Sequence, residues 1–522
     1  MEEECEVLIV GGGCGGVAAA LSSARLGRKV VLTESMRILG GQLTSQAVPP
    51  DEHPWVETTG VTQTYREMRA RVRRHYRDTR DLTQKARAEQ ALNPGQAWVS
   101  NLSAEPQVFL HVLNELLSPW QQQGQLQVRT QMTPIAADVD GDIVRAVTFA
   151  GSDGDHWTVA APIVLDATEE GNLLPLTGCE HVIGAESFDD TGELHAPAHA
   201  DPLDQQAVTW CVALEPKPAE EHVIERPAGY DFWRTYRAPH WPGPQLGWVT
   251  PEPETGRPLT RPLFGNGQDD LWSFRRIRYA GHYQSSDLTD VTLVNWPQVD
   301  YWLAPLLGVD AEQRVQARQA ARDLSLCFVH WLQTEAPRPD GGAGYPWLRL
   351  CPGILSTPDG LAEAPYIRES RRIRSQFRVV EQHIGVAARP GADRAEDFSD
   401  TIGVGSYRID LHPSASGRGY LDIATYPFQI PLGALLPCRT ANLVAAGKPL
   451  GASHITNGCY RLHPVEWNVG ESAGALAAFC LDRGVPPQAV RERPRILTEF
   501  QAELDSLGIQ LHWPSDIQTM RR

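Results

Sequence analysis

No uninterrupted apolar run in the 522 residues approaches the ~18–20 that a membrane-spanning helix requires. Cysteines are scarce and scattered: Cys5, Cys14, Cys179, Cys211, Cys327, Cys351, Cys438, Cys459 and Cys480 include no Cys-x-x-Cys pair. That argues against a zinc site, an iron–sulfur cluster or a redox-active disulfide and fits reduced, mostly buried thiols, so no metal is expected. The chain opens Met1-Glu2-Glu3-Glu4, acidic where a secretory or twin-arginine leader would be basic, so a cytoplasmic location is the expectation. Positive charge is also short. Lys+Arg number 47 against 64 Asp+Glu, a formal net charge of −17, which repels nucleic acid and anionic membrane surfaces and leaves a small molecule as the expected partner. One run departs from this: Arg66, Arg69, Arg71, Arg73, Arg74, Arg77 and Arg80 are read as a solvated helix face rather than an anion-steering rim. Internal repeats and low-complexity tracts are missing too. What remains is ordinary globular composition, 42% hydrophobic and 21% charged, in a chain too long for one average core.

Residues 7–10, Val-Leu-Ile-Val, are a short continuous apolar run, the mark of a strand buried on both faces of a parallel sheet. It leads into Gly11-Gly12-Gly13-Cys14-Gly15-Gly16, which satisfies Gly-x-Gly-x-x-Gly at Gly11, Gly13 and Gly16. An Ala-rich helix is predicted over 17–26, ended by Gly27, and a second strand over 29–33 delivers Glu34 at its carboxyl end. Gly11 permits the tight strand-to-helix turn, Gly13 lets the backbone approach a pyrophosphate, and Gly16 lets the helix pack closely on the strand. The unpaired N–H groups of the helix start, around Cys14 and Gly15, bind phosphates with help from the helix dipole. Glu34 is placed to accept hydrogen bonds from ribose hydroxyls and disfavours a 2′-phosphate, hence NADP. A glycine turn alone is weak evidence; strand, turn, helix, strand and acid in order within about 30 residues define a dinucleotide site.

Past Glu34 the run Ser35-Met36-Arg37-Ile38-Leu39-Gly40-Gly41-Gln42-Leu43 carries a glycine pair, a loop able to lie flat against a long cofactor. Another buried strand, 163–166, ends in Ala167-Thr168-Glu169-Glu170-Gly171. In these segments the chain resembles the two-dinucleotide-binding-domain flavoproteins, and within them the FAD-dependent oxidoreductase family, whose members carry a Gly-Gly loop and an Asp-Ala-Thr-Gly-Asp-Gly turn. The resemblance implies FAD as cofactor, with Gly40, Gly41 and Gln42 near the ribityl chain and Ala167 and Thr168 near the adenine half. Ser35, Arg37 and Leu43 belong to the same contact loop. Glu169 and Glu170 stand where the family has Gly-Asp. The family's ending is matched by a strand over 442–447 closing on Gly447, by His454, Arg461 and Pro464, and by an Ala-rich helix over 465–481. Gly447, Pro464, Val465 and Glu466 are therefore assigned to the cofactor. Pro464 pre-sets the first helical turn, whose dipole is directed at the N1–C2=O edge of the isoalloxazine, where reduced flavin is negative.

The fold class these pieces predict is α/β, a Rossmann-like FAD/NAD(P)-binding fold (three-layer ββα) with an inserted α+β substrate or cap domain. Helices are predicted over 62–91 and 105–117, then strands over 126–128, 135–139, 143–149 and 157–160. Those strands are the crossover sheet that flavoproteins of this group insert, which carries residues 128–133, Thr133 among them, past the adenine. The FAD-binding domain is placed at 1–173 and 438–485, the inserted domain at 174–437 and a C-terminal extension at 486–522. The insertion holds nine tryptophans, Trp210, Trp233, Trp241, Trp248, Trp272, Trp296, Trp302, Trp331 and Trp347. They are read as core rather than as a ligand-lining set. Long helices are predicted over 312–333 and 370–384.

In such an enzyme the flavin supplies the redox step, while protein groups hold the substrate over N5 and handle a proton. His454 is the first candidate for proton transfer or anion binding, since an imidazole titrates near ~6.5. Arg461 is a candidate to hold a substrate carboxylate or the flavin C2=O. Arg368, in the run Tyr366-Ile367-Arg368-Glu369-Ser370-Arg371-Arg372 that the family shares in similar form, is a candidate to meet the substrate. Arg371 or Arg372 then pairs with acids at the domain seam. His463, Asn457 and Glu466 are further candidates for the same pocket. Residues 402–406, Ile-Gly-Val-Gly-Ser, lack a third glycine and a following helix, so only one dinucleotide site is read. The expected reaction is hydride transfer from a small organic substrate to flavin N5, with reoxidation by oxygen or another acceptor. Two alternatives stay open: an NAD(P)H-using flavin monooxygenase or reductase without its own nicotinamide domain, and a non-catalytic flavin-binding subunit. Protein purified after expression with riboflavin available is expected to be yellow and to take up FAD on titration; colourless protein that binds none refutes the redox reading.

Overall fold

An apolar run with no polar face needs cover on both sides. In the computed structural model, which describes residues 2–265 and 267–517, that run is strand β2 (Val7–Val10), buried throughout. It lies in the middle of a five-stranded sheet. β3 (Val30–Thr33) and then β4 (Leu126–Arg129) follow on one side, β8 (Ile163–Asp166) and then β13 (Leu443–Ala445) on the other. All pairs are parallel, and the register sets Val10 level with Thr33 and Asp166, Asp166 with Ala445, and Thr33 with Arg129. The carboxyl ends of the strands thus form one edge.

A second sheet, β1 (Glu2–Glu4), β7 (His156–Ala160), β6 (Ile143–Gly151) and β5 (Met132–Asp140) in that spatial order, is the crossover. The helical layer comprises α1 (Cys14–Arg25), α4 (Pro106–Gln122) and α7 (His463–Arg483). α4 turns Val108, Phe109, Val112, Leu113, Leu116 and Leu117 inward. This is the expected three-layer ββα Rossmann-like arrangement. α1 begins at Cys14 rather than at Val17, because the glycine loop itself forms the first helical turn. It packs on α7 through glycines: a Cβ added at Gly470 would lie less than 3.0 Å from the Gly15 carbonyl, and one at Gly474 equally close to that of Ala19.

A second core, formed within residues 208–367, surrounds α5 (Ala311–Thr334) and an antiparallel sheet. The sheet contains β9 (Val212–Pro216), β10 (Arg276–Arg278), β11 (Val291–Val294) and β12 (Leu348–Leu350), in spatial order β10-β11-β9-β12. All nine tryptophans fill this core or its edge: Trp233, Trp272, Trp296 and Trp331 inside, Trp241 and Trp302 in an adjoining cluster, and Trp210, Trp248 and Trp347 packed against them. Ile373, Val379, Ile402, Phe428 and Leu436 belong instead to the core of the nucleotide-binding sheet.

Three expectations need correction. Residues 370–384 are not a helix. Arg372 and Ile373 pair as a strand with Val182 and His181, and only Glu381–Ile384 is helical, because buried Arg372 is held by Glu186 and Glu369. The stretch 62–91 is two helices, α2 (Gln63–Thr79) and α3 (Gln84–Ala88), parted where Leu82 bridges to Tyr283. Its arginines are not simply a solvated face: Arg69 and Arg73 are buried and paired with Glu52 and Glu57. Residues 518–522 of the expected C-terminal extension lie outside the described residues. Among the described residues, no helix is long and apolar enough to cross a membrane.

Gly470→Ala forces a methyl group into the Gly15 backbone and is expected to lower stability by ~1–3 kcal/mol or more. Chemical denaturation with the wild type alongside checks this, and an unshifted midpoint refutes the close-packing account.

Candidate functional site

The predicted contact residues gather on the carboxyl edge of the sheet, where open α/β sheets bind ligands. Gly11 adopts φ +102°, and a Cβ there would strike the Ala167 carbonyl and the Thr168 amide. The turn therefore needs glycine. α1 follows with Gly13 as N-cap, which has no side chain to cap the helix; Glu466 accepts from the Gly15 amide, and the first turn is otherwise placed for a ligand. Glu34 accepts from the amides of Gly12 (2.7 Å) and Met36 (2.8 Å) and from Ser35 Oγ (3.1 Å). Burial outweighs these hydrogen bonds and raises its carboxyl to about 7.

A cavity of about 440 Å³ runs along this edge. Gly11, Glu34, Ser35, Gly41, Thr133 and Thr168 line it, as do Ser45, Gln46, Glu169 and Ile367, which the sequence reading did not single out as contacts. A separate hollow of about 430 Å³ at Phe264, Trp272 and Arg276 shares no residue with the edge. Cys14 touches the Gly40 carbonyl with its thiol (3.5 Å). Gln42 is buried, donates to the Arg461 carbonyl (2.9 Å) and bonds Glu466. Glu466 in turn accepts from the Gly15 amide (3.4 Å), and burial raises its carboxyl. Leu43, Ala167, Pro464 and Val465 are buried beside these groups, and Gly447 lies 3.5 Å from Glu466 as measured from an added Cβ. Arg37 turns away, to Glu363 (2.8 and 3.1 Å) and the Ser356 carbonyl (3.0 Å).

The three catalytic candidates are buried but not in one cluster. Arg461 donates to Tyr366 Oη (2.7 Å) and to the Asp410 carbonyl (3.0 Å), with the Asp410 carboxylate at 3.3 Å. Arg368 donates to the Ala207 carbonyl and Thr209 Oγ1 (both 2.8 Å) and pairs with Asp300 (3.2 Å). These two meet over one ring: the guanidinium carbons of Arg368 and Arg461 lie 4.8 and 5.7 Å from the Tyr366 centroid, and Lys448 Nζ lies 5.7 Å from it. His454, on α6 (His454–Tyr460), sits in another network. Its Nδ1 meets Glu369 (2.8 Å), its Nε2 meets Arg418 (2.7 Å), and its amide donates to Glu186 (2.8 Å). His463 accepts from the Asp51 amide at Nδ1 (3.1 Å) and faces the Val48 carbonyl at Nε2 (3.2 Å). Burial, then Arg275 and Lys448, hold its pKa well below the usual histidine value, so it is neutral. Asn457 donates to the Arg368 carbonyl (2.8 Å).

Sequence reasoning missed a further constellation. His412 lies between Asp300 (2.6 Å) and Asp410 (3.4 Å), with Tyr420 Oη 2.9 Å from Asp300. Burial pushes the Asp300 carboxyl up, but Arg368 and then His412 outweigh it and hold it at about 2. Asp410 is held well below the carboxylate range by His412 and Arg461 against the same burial. Asp300 and His412 come from distant segments with no local motif. Lys448 and Tyr366 did have a signal, since they adjoin Gly447 and the arginine run.

Strand, glycine turn, helix and acid at the carboxyl edge of a parallel sheet define a dinucleotide-binding flavoprotein fold. The chain belongs to the FAD dependent oxidoreductase family, whose model matches residues 6–504. No curated protein matches. Among solved structures, the myxobacterial chondrochloren halogenase CndH aligns over 99% of this chain and 84% of its own at 11% identity, TM-score 0.33. The OxyS anhydrotetracycline hydroxylase from Streptomyces rimosus aligns over 97% and 66% at 12%, TM-score 0.31. L-proline dehydrogenase from P. horikoshii aligns over 35% of this chain at 14%, TM-score 0.18, and the match spans 24% of that chain's length.

FAD is the cofactor, and the residues present fit it. Glu34 on the cavity wall would meet an adenosine ribose, and the start of α1, with its glycine N-cap, would face a diphosphate. Gln42, Glu466 and the loop at Gly40 and Gly41 continue the path toward Arg461.

Asp300 and Glu369, the latter brought down to about 2 by His454 and Arg372 against burial, both lie below their unfolded values. Their stabilisation is therefore complete above about pH 5 and fades as pH falls toward about 2, by about 2 kcal/mol for Asp300 and about 3 kcal/mol for Glu369. Urea denaturation across that range checks this. Asp300→Asn is expected to lose its share of the pH dependence, and an identical slope refutes the assignment.

Proposed function

We propose that this enzyme is of the oxidase or dehydrogenase type and removes hydride from a small organic substrate bearing a carboxylate or carbonyl group. The observation that carries this reading is the convergence of Arg368, Arg461 and Lys448 on the Tyr366 ring, where the Nε–H groups of Arg368 and Arg461, like that of Arg275, are buried and meet no acceptor. Buried donors without acceptors cost ~1–3 kcal/mol each, so a ligand rich in acceptor oxygens is favoured there. Arg275 is itself held by Asp51 (2.9 Å). Bound FAD supplies the two-electron acceptor, which oxygen or another oxidant then restores.

The chain's own groups orient the substrate and move its proton. Arg461 and Arg368 hold the acceptor oxygens. Burial raises the Tyr366 pKa, so its phenol stays protonated; its oxygen accepts from Arg461, which leaves the O–H to donate to the substrate. His412 is assigned the proton leaving the substrate, in place of His454. The support is exposure: the His454 side chain is 3% exposed and held by Glu369 and Arg418, whereas His412, whose two nitrogens face Asp300 and Asp410, is 16% exposed. His454 is then a positioning residue that ties Glu369 to α6. Tyr366, Arg368 and Arg275 come from the segment 174–437 and Arg461 from the return segment, which supports reading the former as the substrate domain and the seam as the pocket.

Anaerobic titration of the FAD-loaded enzyme with small carboxylic acids, alcohols and amines tests this reading by loss of the oxidised-flavin absorbance. Bleaching by one of them is expected. Bleaching by NADH or NADPH alone overturns the proposal in favour of a reductase or monooxygenase, and no bleaching by any compound favours a binding role. With the reducing substrate found, Arg461→Lys is expected to slow flavin reduction about tenfold or more, because the ammonium cannot reproduce the guanidinium fork.

A further inference from the structure

The two glycine loops that prepare the diphosphate cradle meet at Gly13 and Gly41: a Cβ added at Gly41 would lie 2.9 Å from Gly13 Cα. The atom seated over this junction is Glu169 Oε1. It lies 2.7 Å from a Cβ added at Gly13 and closer still to one added at Gly41. Glu169 Oε1 is buried and accepts no hydrogen bond, although the same side chain pairs through Oε2 with Lys448 Nζ. An unpartnered carboxylate oxygen at the start of α1, whose glycine N-cap supplies no acceptor, is an anion in the position where the helix start and the glycines favour one.

Lys448 is fully buried. Besides Glu169 it donates to the Ile367 carbonyl (2.9 Å), and Glu466 is the other carboxylate acting on it. Glu466 is committed to the Gly15 amide and Gln42. One ammonium therefore faces two carboxylates before any cofactor arrives. A diphosphate adds about two more negative charges, and in a site shielded from water these cannot share the junction with Glu169. Lys448 and Glu466 are buried, whereas Glu169 is 20% exposed and lies on the cavity wall, so it is the member of the trio with room to turn out.

We propose that Lys448 is a ligand of the cofactor diphosphate and that Glu169 is the carboxylate it releases when FAD binds. The inference rests on FAD being the cofactor. The exchange keeps the buried ammonium paired in both states, which a buried charge requires, and it makes FAD compete with an internal anion.

The test is titration of flavin-free protein with FAD, followed by flavin fluorescence, with ADP and adenosine as competitors that carry and lack the diphosphate. Glu169→Gln is expected to lower the FAD and ADP Kd about tenfold or more and to leave the adenosine Kd unchanged. Lys448→Met removes the partner of a buried carboxylate and can destabilise the chain, so the double variant Glu169→Gln/Lys448→Met carries that arm. Relative to Glu169→Gln, it is expected to weaken FAD and ADP about tenfold with adenosine again unmoved. Thermal midpoints of the flavin-free proteins report whether each variant is folded. Wild-type binding of FAD with an unchanged or weakened Kd in Glu169→Gln overturns the proposal and leaves the cofactor standing. A Glu169→Gln gain that extends equally to adenosine also overturns it. Failure of both wild type and variants to bind FAD overturns the cofactor reading itself.

Discussion

Helices α1 and α7 meet backbone to backbone, and no side chain larger than hydrogen fits where they cross. A Cβ at Gly15 would strike the Ala446 carbonyl, and Cβ atoms at Gly470 and Gly474 would strike the carbonyls of Gly15 and Ala19. Ser23 Oγ donates to the Gly474 carbonyl (3.0 Å) and fixes the register. This contact joins the first and last elements of the nucleotide-binding sheet, and the cofactor edge depends on it. α7 brings Glu466 to the Gly15 amide, and the chain leading into it brings the Arg461 carbonyl to Gln42 and Lys448 to the turn after β8. The glycines of the opening motif each make room for a different neighbour: Gly11 for the backbone after β8, Gly13 for the Glu169 carboxylate and Gly15 for the Ala446 carbonyl after β13.

Burial acts on every carboxylate of the site, and its neighbours decide the outcome. Glu34 and Asp166 meet mainly hydrogen-bond donors, with Arg371 acting only weakly on Asp166, so burial wins and raises them to about 7 and about 6. Asp300 and Glu369 meet arginine and histidine, so pairing wins and lowers both to about 2. The boundary between the two behaviours follows the architecture. The cofactor edge is built from backbone amides and glycines; the seam between the cores is built from charged pairs such as Arg368–Asp300, Arg461–Asp410 and Arg372–Glu186. Buried pairs of this kind add little net stability. Their contribution is orientation, since each guanidinium has its direction set by a carboxylate from a different segment.

The same division explains what could be read from the sequence. β2, the glycine turn, α1, β3 and Glu34 are a local pattern, and each residue's role follows from its neighbours along the chain. The tryptophans of the inserted segment were legible as core for a similar reason, being large apolar groups that need burial. The run at 366–372 stands out in the sequence, but its shape does not. A helix is predicted from residue 370, while the buried partners of Arg372 hold the chain extended. Arg69 and Arg73 looked like a solvated face because Glu52 and Glu57, which neutralise them, precede the helix. Asp300 and His412 meet only in the folded chain. His454 stands beside a matching motif, but nothing nearby in the sequence announces that Arg418 and Glu369 occupy its two nitrogens.

A site divided in this way constrains how it can vary. The cofactor edge tolerates little, because its specificity resides in missing side chains, and any Cβ at Gly11 or Gly16 meets backbone that has nowhere to go. Glu169 and Glu466 are instructive exceptions: they bring charge to that edge through flexible side chains and leave the backbone path intact. The seam tolerates more, since a guanidinium can be redirected by moving its carboxylate partner, and those partners sit on the inserted segment. On the proposed function, chemistry can therefore change through residues such as Asp300, Tyr366 and His412 while the strands that carry Gly11, Glu34 and Ala167 stay as they are.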